Sequence, residues 1–211
     1  MRGKFITVEG IEGAGKSTCV AVIEEVLKAR GITEIVHTRE PGGTKIAERL
    51  REILLTPGEE KVFDETELLL MYAARRQLVG TIIEPALMSG KWVIGDRHDL
   101  STLAYQGGGR GMDAEMIAGL RKIALGSFLP DLTILMDIEP ELGLSRVDKR
   151  GQGRDRFEQE KVEFFKRVRQ AYLDAAHAEP KRIIVIDASR PLEDVKDAIR
   201  RAAEEFLCSL G

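Results

Sequence analysis

Five short runs of almost continuous apolar residues are distributed along the chain, and helical patterns separate them. The runs are 4–9, 35–38, 92–95, 132–136 and 182–186. Because helices cover both faces of a parallel sheet, its strands are apolar throughout rather than alternating. The pattern therefore predicts a doubly wound five-stranded parallel sheet in a single α/β domain that spans residues 1–211.

Between these runs, apolar residues recur at helical spacing, as Val20 and Ile23 do after the first run. Asp64 and Asp113 precede two of the helical patterns and are typical N-cap residues. Pro85 falls inside the long third helix, and its missing N–H group is expected to kink or end that helix. The predicted helices cover 17–30, 44–55, 64–89, 113–125, 140–149, 159–178 and 192–207.

Composition restricts the class of protein. The chain has 211 residues and a net charge of −3, which argues against a protein that coats nucleic acid. No apolar run approaches the roughly 20 residues of a membrane-spanning helix, and the first residues lack the apolar core of a signal peptide. Cys19 and Cys208 are too few for a disulfide framework. We therefore expect a cytoplasmic protein, with no nucleic-acid or membrane partner, that binds anions through locally clustered cations.

The most specific motif follows the first predicted strand. Residues 10–17 read Gly-Ile-Glu-Gly-Ala-Gly-Lys-Ser and match the phosphate-loop pattern G-x-x-x-x-G-K-[ST] at every position. The loop and the helix N-terminus are suited to phosphates, Lys16 to the outer phosphates, and the Ser17 hydroxyl to Mg²⁺. The predicted nucleotide-binding residues are Gly10, Ile11, Glu12, Gly13, Ala14, Gly15, Lys16, Ser17 and Thr18.

Two further clusters lie where such sheets place their ligands, beyond the carboxyl ends of the strands. Asp96 and Arg97 follow the third strand; an acid there suits a Mg²⁺-bound water, and the arginine fork suits phosphate oxygens. The second cluster, 146–156, holds five cations, two carboxylates and two glycines, which is typical of a closing lid. Solvated surface charge is the alternative for both clusters.

The inventory of reactive groups favours phosphoryl transfer. No Ser–His or Cys–His pair indicates covalent catalysis, and the histidines lack the spacing of metal ligands. A phosphate monoester with a second pKa of about 6 is already largely a dianion at neutral pH. Transfer between two phosphates therefore needs positive charge rather than a general base.

Several segments, taken together and in order, resemble the thymidylate kinase family over essentially the whole chain. They are 8–18, 38–44, 72–75, 95–97, 104–110 and 155–158. The resemblance implies a P-loop nucleoside monophosphate kinase fold with a short arginine-rich lid at about 146–158. It also implies transfer of the γ-phosphoryl group of ATP to dTMP, giving dTDP and ADP for dTTP biosynthesis, with Mg²⁺ as cofactor. A homodimer formed through helices 44–55 and 64–89 is implied as well.

Carried over by position, the resemblance also assigns residues to the acceptor. Glu12 would face the sugar 3′-hydroxyl, and the Tyr105 ring would leave no room for a 2′-hydroxyl. Many members stack a phenylalanine on the base where this chain has Met71, so Met71 and its neighbour Tyr72 are both candidates to cover it. The predicted substrate-binding residues are Glu12, Arg39, Met71, Tyr72, Arg75, Arg97, Thr102, Tyr105 and Gln106.

The source of the catalytic arginine is also implied. This phosphate loop contains no arginine, so the chain resembles the bacterial type in which the lid supplies it, with Arg154 as the first candidate and Arg150 the next. Ser17 and Asp96 are the predicted metal residues. The predicted catalytic residues are Lys16, Asp96, Arg97, Arg150 and Arg154.

Three alternatives remain. A kinase for another monophosphate would need a different pocket, and segment 102–110 argues against it. A GTP-dependent switch usually carries an Asn-Lys-x-Asp segment, which this chain lacks. A nucleotide-binding subunit without turnover is the third, and the intact Lys16, Asp96 and Arg97 argue against it.

Overall fold

A computed structural model of the protein describes residues 2–149 and 155–211. The strands are β1 Phe5–Glu9, β2 Ile35–Arg39, β3 Trp92–Asp96, β4 Leu132–Asp137 and β5 Ile183–Asp187. They form one parallel sheet in the order β2–β3–β1–β4–β5. The predicted five-stranded α/β class is therefore confirmed.

The central strand determines where chemistry can occur. β1 is buried along its whole length because it pairs with β3 on one side and β4 on the other. In this register Val8 lies opposite Asp96, so the chain segments that leave β1 and β3 start side by side. Ligands of such sheets bind beyond these carboxyl ends.

Helices cover both faces of the sheet. Two π-helical segments occur, π1 Val79–Ile83 and π2 Leu103–Gly109. In the described part of the chain, no helix has the length and apolar character needed to cross a membrane. The α-helices are α1 Lys16–Ala29, α2 Lys45–Leu55, α3 Asp64–Leu78, α4 Glu84–Met88, α5 Asp99–Thr102, α6 Ala114–Leu125, α7 Pro140–Asp148, α8 Val162–Ala178 and α9 Leu192–Ser209.

Some helix boundaries differ from the predicted ones. Residues 64–88 are helical throughout, but the π-helical segment π1 lies between α3 and α4, and the helix continues past Pro85 to Met88. Asp113 caps α6 as expected and accepts from two backbone N–H groups. The N-cap of α3 is Phe63, and Asp64 is its first helical residue. The helical stretch formed by α5 and π2 was not predicted.

The phosphate loop is held against α7 by two glycines. A Cβ atom on Gly13 would lie 2.1 Å from the carbonyl oxygen of Gly143, and one on Gly143 would lie 2.5 Å from that of Glu12. Gly13 also has a φ of 71°, which glycine adopts without strain. The backbones can approach this closely only because both residues lack a side chain.

Gly143→Ala is expected to lower the free energy of unfolding by about 1–3 kcal/mol, because the added methyl group overlaps backbone atoms. The matched control is Gly119→Ala in α6, where a Cβ atom meets nothing within 4 Å. There alanine is the better helix former and is expected to add about 0.5–1 kcal/mol. Denaturant unfolding measures both changes, and equal stabilities would contradict the close approach.

Candidate active site

A cavity of about 210 Å³ opens beyond the carboxyl ends of β1 and β3. The structure brings most of the predicted acceptor and catalytic residues to its walls. These are Glu12, Lys16, Arg39, Met71, Arg75, Asp96, Arg97, Thr102, Tyr105 and Gln106. The phosphate loop contributes one wall, and π2 and α3 contribute others, so the cavity joins the nucleotide loop to the segments expected to bind the acceptor.

Arg97 lies where these walls meet. Its Nη2 donates to Glu12 Oε1 at 2.8 Å and to the Tyr105 hydroxyl at 3.1 Å. The Tyr105 hydroxyl in turn donates to Glu12 at 2.7 Å. Burial alone would lower the pKa of Arg97, but the surrounding Tyr105 and Glu12 outweigh burial and raise it well above its usual value. The guanidinium is therefore permanently charged and already carries an anionic partner.

The backbone of Arg97 is held in an unusual conformation. Its φ is 70°, a region that non-glycine residues adopt at a cost of roughly 1–3 kcal/mol. Two hydrogen bonds impose it: Arg97 N donates to Val8 O at 2.9 Å, and His98 N donates to the Glu9 carboxylate at 2.7 Å. Strain maintained in this way is typical of functional sites.

Glu9 anchors this turn, and sequence reasoning did not identify it. It is fully buried, and besides His98 N it accepts from Ser101 Oγ at 2.6 Å and the Tyr172 hydroxyl at 3.0 Å. Burial raises the pKa of its carboxyl group. The only available signal was an acidic residue at the end of a wholly apolar run.

The Lys16 ammonium group is bonded to the backbone of the phosphate loop itself. Lys16 Nζ donates to the carbonyl oxygens of Gly10 at 3.1 Å and Ile11 at 3.0 Å. Desolvation, together with the positive charge of Arg97, lowers the pKa of Lys16 to about 8. A bound anion would therefore raise the pKa of this ammonium group and favour its charged form.

Asp96 fits the predicted contact with a metal-bound water. Its Oδ1 is buried and has no hydrogen-bond partner within the described residues. Mg²⁺ takes oxygen ligands and usually keeps several waters, so an unpartnered carboxylate oxygen beside the phosphate loop suits it. Ser17 lies in the first turn of α1, directly after the loop.

Arg75 is locked in place at the far end of the cavity. It is 2% exposed, and it donates to Glu40 at 2.7 Å, to Thr102 Oγ1 at 2.8 Å and to the His98 carbonyl at 3.1 Å. The second carboxylate oxygen of Glu40 is bonded to His98 Nδ1 at 2.7 Å. Burial would raise the pKa of Glu40, but the charge of Arg75 and the contact with His98 lower it. Sequence reasoning identified Arg75 but not the carboxylate that fixes it.

The structure separates the two candidates for covering the base. Met71 lies on the cavity wall. Tyr72 is buried behind it, where its hydroxyl donates to Asp99 at 3.0 Å and its ring lies 5.0 Å from the Arg75 guanidinium. The expectation that Tyr72 contacts the substrate is therefore not supported by its placement, because that side chain braces Arg75 from outside the cavity.

The remaining predicted arginines differ in position. Arg39 lines the cavity with a half-exposed side chain that pairs with Glu48 at 2.8 Å. Arg150 and Arg154 lie outside the described residues. Arg156 is described, and it donates to Leu54 O at 2.7 Å and to the buried Glu67, so it anchors the end of the predicted lid rather than facing the phosphate loop.

The chain is similar to known proteins over almost its whole length. Residues 8–199 match the thymidylate kinase family. A solved structure, that of thymidylate kinase from Ehrlichia chaffeensis, is 32% identical to this chain and superposes with a TM-score of 0.76. The match covers 97% of this chain and 99% of that one.

Nucleotide binding is expected to be coupled to proton uptake above pH 8. With a pKa of about 8, Lys16 is largely neutral at pH 8.5, and bound phosphate oxygens favour its charged form. Calorimetric titration with ADP in two buffers of different ionisation enthalpy should show uptake of roughly 0.75 proton at pH 8.5 and little at pH 7.

The baseline for this measurement is Lys16→Arg, in which the charge is permanent and uptake by this group is abolished. Binding heats of the wild-type chain that do not depend on the buffer at pH 8.5 would contradict the lowered pKa.

Proposed function

The chain belongs to the thymidylate kinase family, and from this premise we propose how its cavity performs the family reaction. The protein is a dTMP kinase, a phosphotransferase of nucleotide biosynthesis that moves the γ-phosphoryl group of ATP to dTMP and gives dTDP and ADP. The observation that carries the proposal is the junction of Arg97 with Glu12 and Tyr105, between the phosphate loop and the cavity.

On the donor side, the phosphates of ATP occupy the phosphate loop. Gly13 and Gly15 have φ values of 71° and 89°, which turn backbone N–H groups toward a bound anion. The N-terminus of α1 adds its partial positive charge. Lys16 leaves the carbonyl oxygens of Gly10 and Ile11 and binds the outer phosphates, which supply stronger, charged acceptors.

On the acceptor side, the phosphate of dTMP takes the place of the Glu12 carboxylate on Arg97. The planar guanidinium fork suits two phosphate oxygens as well as it suits a carboxylate. This exchange replaces one anion by another, so the buried cation is never without a partner. Glu12, once released, is free to accept from the sugar 3′-hydroxyl, and the Tyr105 ring lies beside the same sugar.

The reaction itself needs charge neutralisation and alignment. The dTMP phosphate is already deprotonated at neutral pH, so no general base has to be assigned. Lys16 and Arg97 stabilise the transferring charge from two sides of the cavity. A divalent metal, held by Ser17 and through water by Asp96, would supply further neutralisation on the β- and γ-phosphates. Arg150 and Arg154 remain the expected lid arginines and lie outside the described residues.

At the other end, Arg75 and Met71 receive the base. Arg75 offers an N–H donor to a thymine carbonyl oxygen, and its anchoring by Glu40 and Thr102 fixes the direction of that donor. The flexible thioether of Met71 packs against the ring face. The Arg75 donor selects for a base with a carbonyl group at this edge.

A homodimer is also part of the proposal. Ile46 and Ile53 lie two helical turns apart on one face of α2, and each is more than half exposed, as is Leu69 on the adjacent α3. A second copy of the chain would remove this apolar face from water. The face supports the interface that the family resemblance implies.

The oligomeric state provides one prediction. Light scattering after size exclusion is expected to give the mass of two chains, and Ile53→Glu is expected to shift the protein to one chain because it places a charge in an apolar interface. Leu192→Glu is the matched control, since Leu192 is 57% exposed at the start of α9, outside both helices of the implied interface. A monomeric wild-type protein at about 10 µM would rule out the stable dimer, since this lies well above the nM affinities of ordinary interfaces.

The choice of acceptor provides another prediction. With ATP and Mg²⁺, the protein is expected to release ADP rapidly with dTMP and at least ~100-fold more slowly with dCMP, dAMP or dGMP. The bases of these three nucleotides would leave polar groups of the site without hydrogen-bond partners. The ribose counterpart of dTMP should also be a poorer acceptor. A coupled assay of ADP release measures these rates, and no release with dTMP would defeat the assignment.

The variant Arg97→Lys tests the role of Arg97 in the same assay. It keeps the positive charge but removes the planar fork, and is expected to lower kcat/KM for dTMP by roughly 100-fold while the protein remains folded.

A further inference from the structure

A fully buried carboxylate, Glu67 on α3, lies behind the base end of the cavity and is not part of its wall. Its Oε1 accepts from Gln106 Nε2 at 2.7 Å. Arg110 donates to both of its oxygens at 3.2–3.3 Å, and Arg156 donates to Oε2. Gln106 does line the cavity, so it is the one partner of Glu67 that connects this cluster to the acceptor.

The contact with Glu67 determines which way the Gln106 amide faces. An ionised carboxylate can only accept hydrogen bonds, so the amide nitrogen must be the atom that meets it. The carbonyl oxygen, Oε1, is then directed away from Glu67. No donor from the described residues is bonded to that oxygen, and Gln106 is a cavity residue. Gln106 Oε1 is therefore a hydrogen-bond acceptor that faces the cavity at this position.

The reversed orientation of the amide is unfavourable. Arg110 and Arg156 both pair with the carboxylate of Glu67, and a flipped Gln106 would place its carbonyl oxygen against a carboxylate oxygen. Gln106 is only 1% exposed, so water cannot compensate for the lost bond. One orientation of the amide is thus imposed from outside the cavity.

Gln106 and Arg75 together display an ordered pair of groups. Arg75, fixed by Glu40 and Thr102, offers a donor, and Gln106 offers an acceptor. The imide edge of thymine carries a carbonyl acceptor next to an N–H donor and complements this pair. The same edge of cytosine carries an amino donor next to an unprotonated ring nitrogen, so both contacts are mismatched.

We propose that Glu67 is a positioning residue that sets base specificity by fixing the Gln106 amide with its carbonyl oxygen toward the base. This inference rests on the proposed function as a dTMP kinase. Glu67 itself contacts no substrate, and it acts through Gln106.

The test compares two acceptors that differ only at this edge, dTMP and 5-methyl-dCMP. The measured quantity is the ratio of their kcat/KM values. Glu67→Gln keeps the size of the side chain but presents an amide that can donate as well as accept, so Gln106 is no longer forced into one orientation. The ratio is expected to fall roughly tenfold, the worth of one hydrogen bond.

The matched control is Glu160→Gln. Glu160 is the other carboxylate that accepts from Arg110, but it makes no contact with Gln106 in the described structure. This variant weakens the same cluster, so it is expected to lower the melting temperature and leave the acceptor ratio unchanged. A ratio that falls equally in both variants would reduce Glu67 to a structural role and overturn the proposal.

A second variant tests the pathway through Gln106 and does not depend on Glu67→Gln being able to fold. Gln106→Leu is expected to lower the ratio at least as much, and adding Glu67→Gln to it should cause no further fall. An unchanged ratio in Gln106→Leu, or a further fall in the double variant, contradicts the proposal. Failure of the wild-type protein to phosphorylate dTMP would instead contradict the proposed function.

Discussion

The ion pair between Glu12 and Arg97 joins the phosphate loop to the end of β3, and the cavity is built around it. Arg97 Nη2 and Glu12 Oε1 lie 2.8 Å apart, although the two residues are far apart in the sequence. Arg97 is largely enclosed, with 16% of its side chain exposed, so a missing partner would be costly and the free protein supplies an anion of its own. Glu12 is that anion, and in the proposed mechanism its carboxylate occupies the place that the dTMP phosphate takes. Under this proposal, substrate binding is an exchange of anions on a cation that is already positioned.

The same constraint organises the rest of the site. Arg75 is buried beside Glu40, and Glu67 is buried between Arg110 and Arg156, so each of these enclosed charges has an opposite charge within hydrogen-bonding distance. These pairs leave their side chains little rotational freedom. The groups that would face the substrate are consequently directed before it arrives, and little reorganisation is needed during the reaction.

Much of this arrangement could be predicted from local sequence. The order of strands and helices follows from runs and periods of apolar residues, and the phosphate loop follows from its spacing between a strand and a helix. The buried carboxylates of Glu9, Glu40 and Glu67 could not be found in this way, because their partners are distant in the sequence. A lone acidic residue in a helix, such as Glu67, is also typical of a solvent-facing position. One signal was available for Glu67. It stands four residues before Met71 and eight before Arg75, so the three share the face of α3 that is directed toward the site.

The helical stretch that sequence reasoning missed shows why local patterns were insufficient. The glycines that end π2 carry no helical signal, yet a Cβ atom on Gly109 would lie 2.4 Å from the ring of Phe164 on α8. The absence of side chains lets α8 approach π2 closely. That approach brings the Tyr172 hydroxyl to Glu9, at 3.0 Å, and to Arg97, at 3.3 Å. The residues that obscure the helix in the sequence are therefore the ones that allow α8 to support the strained turn at Arg97, and the ion pair with Glu12 depends on that turn.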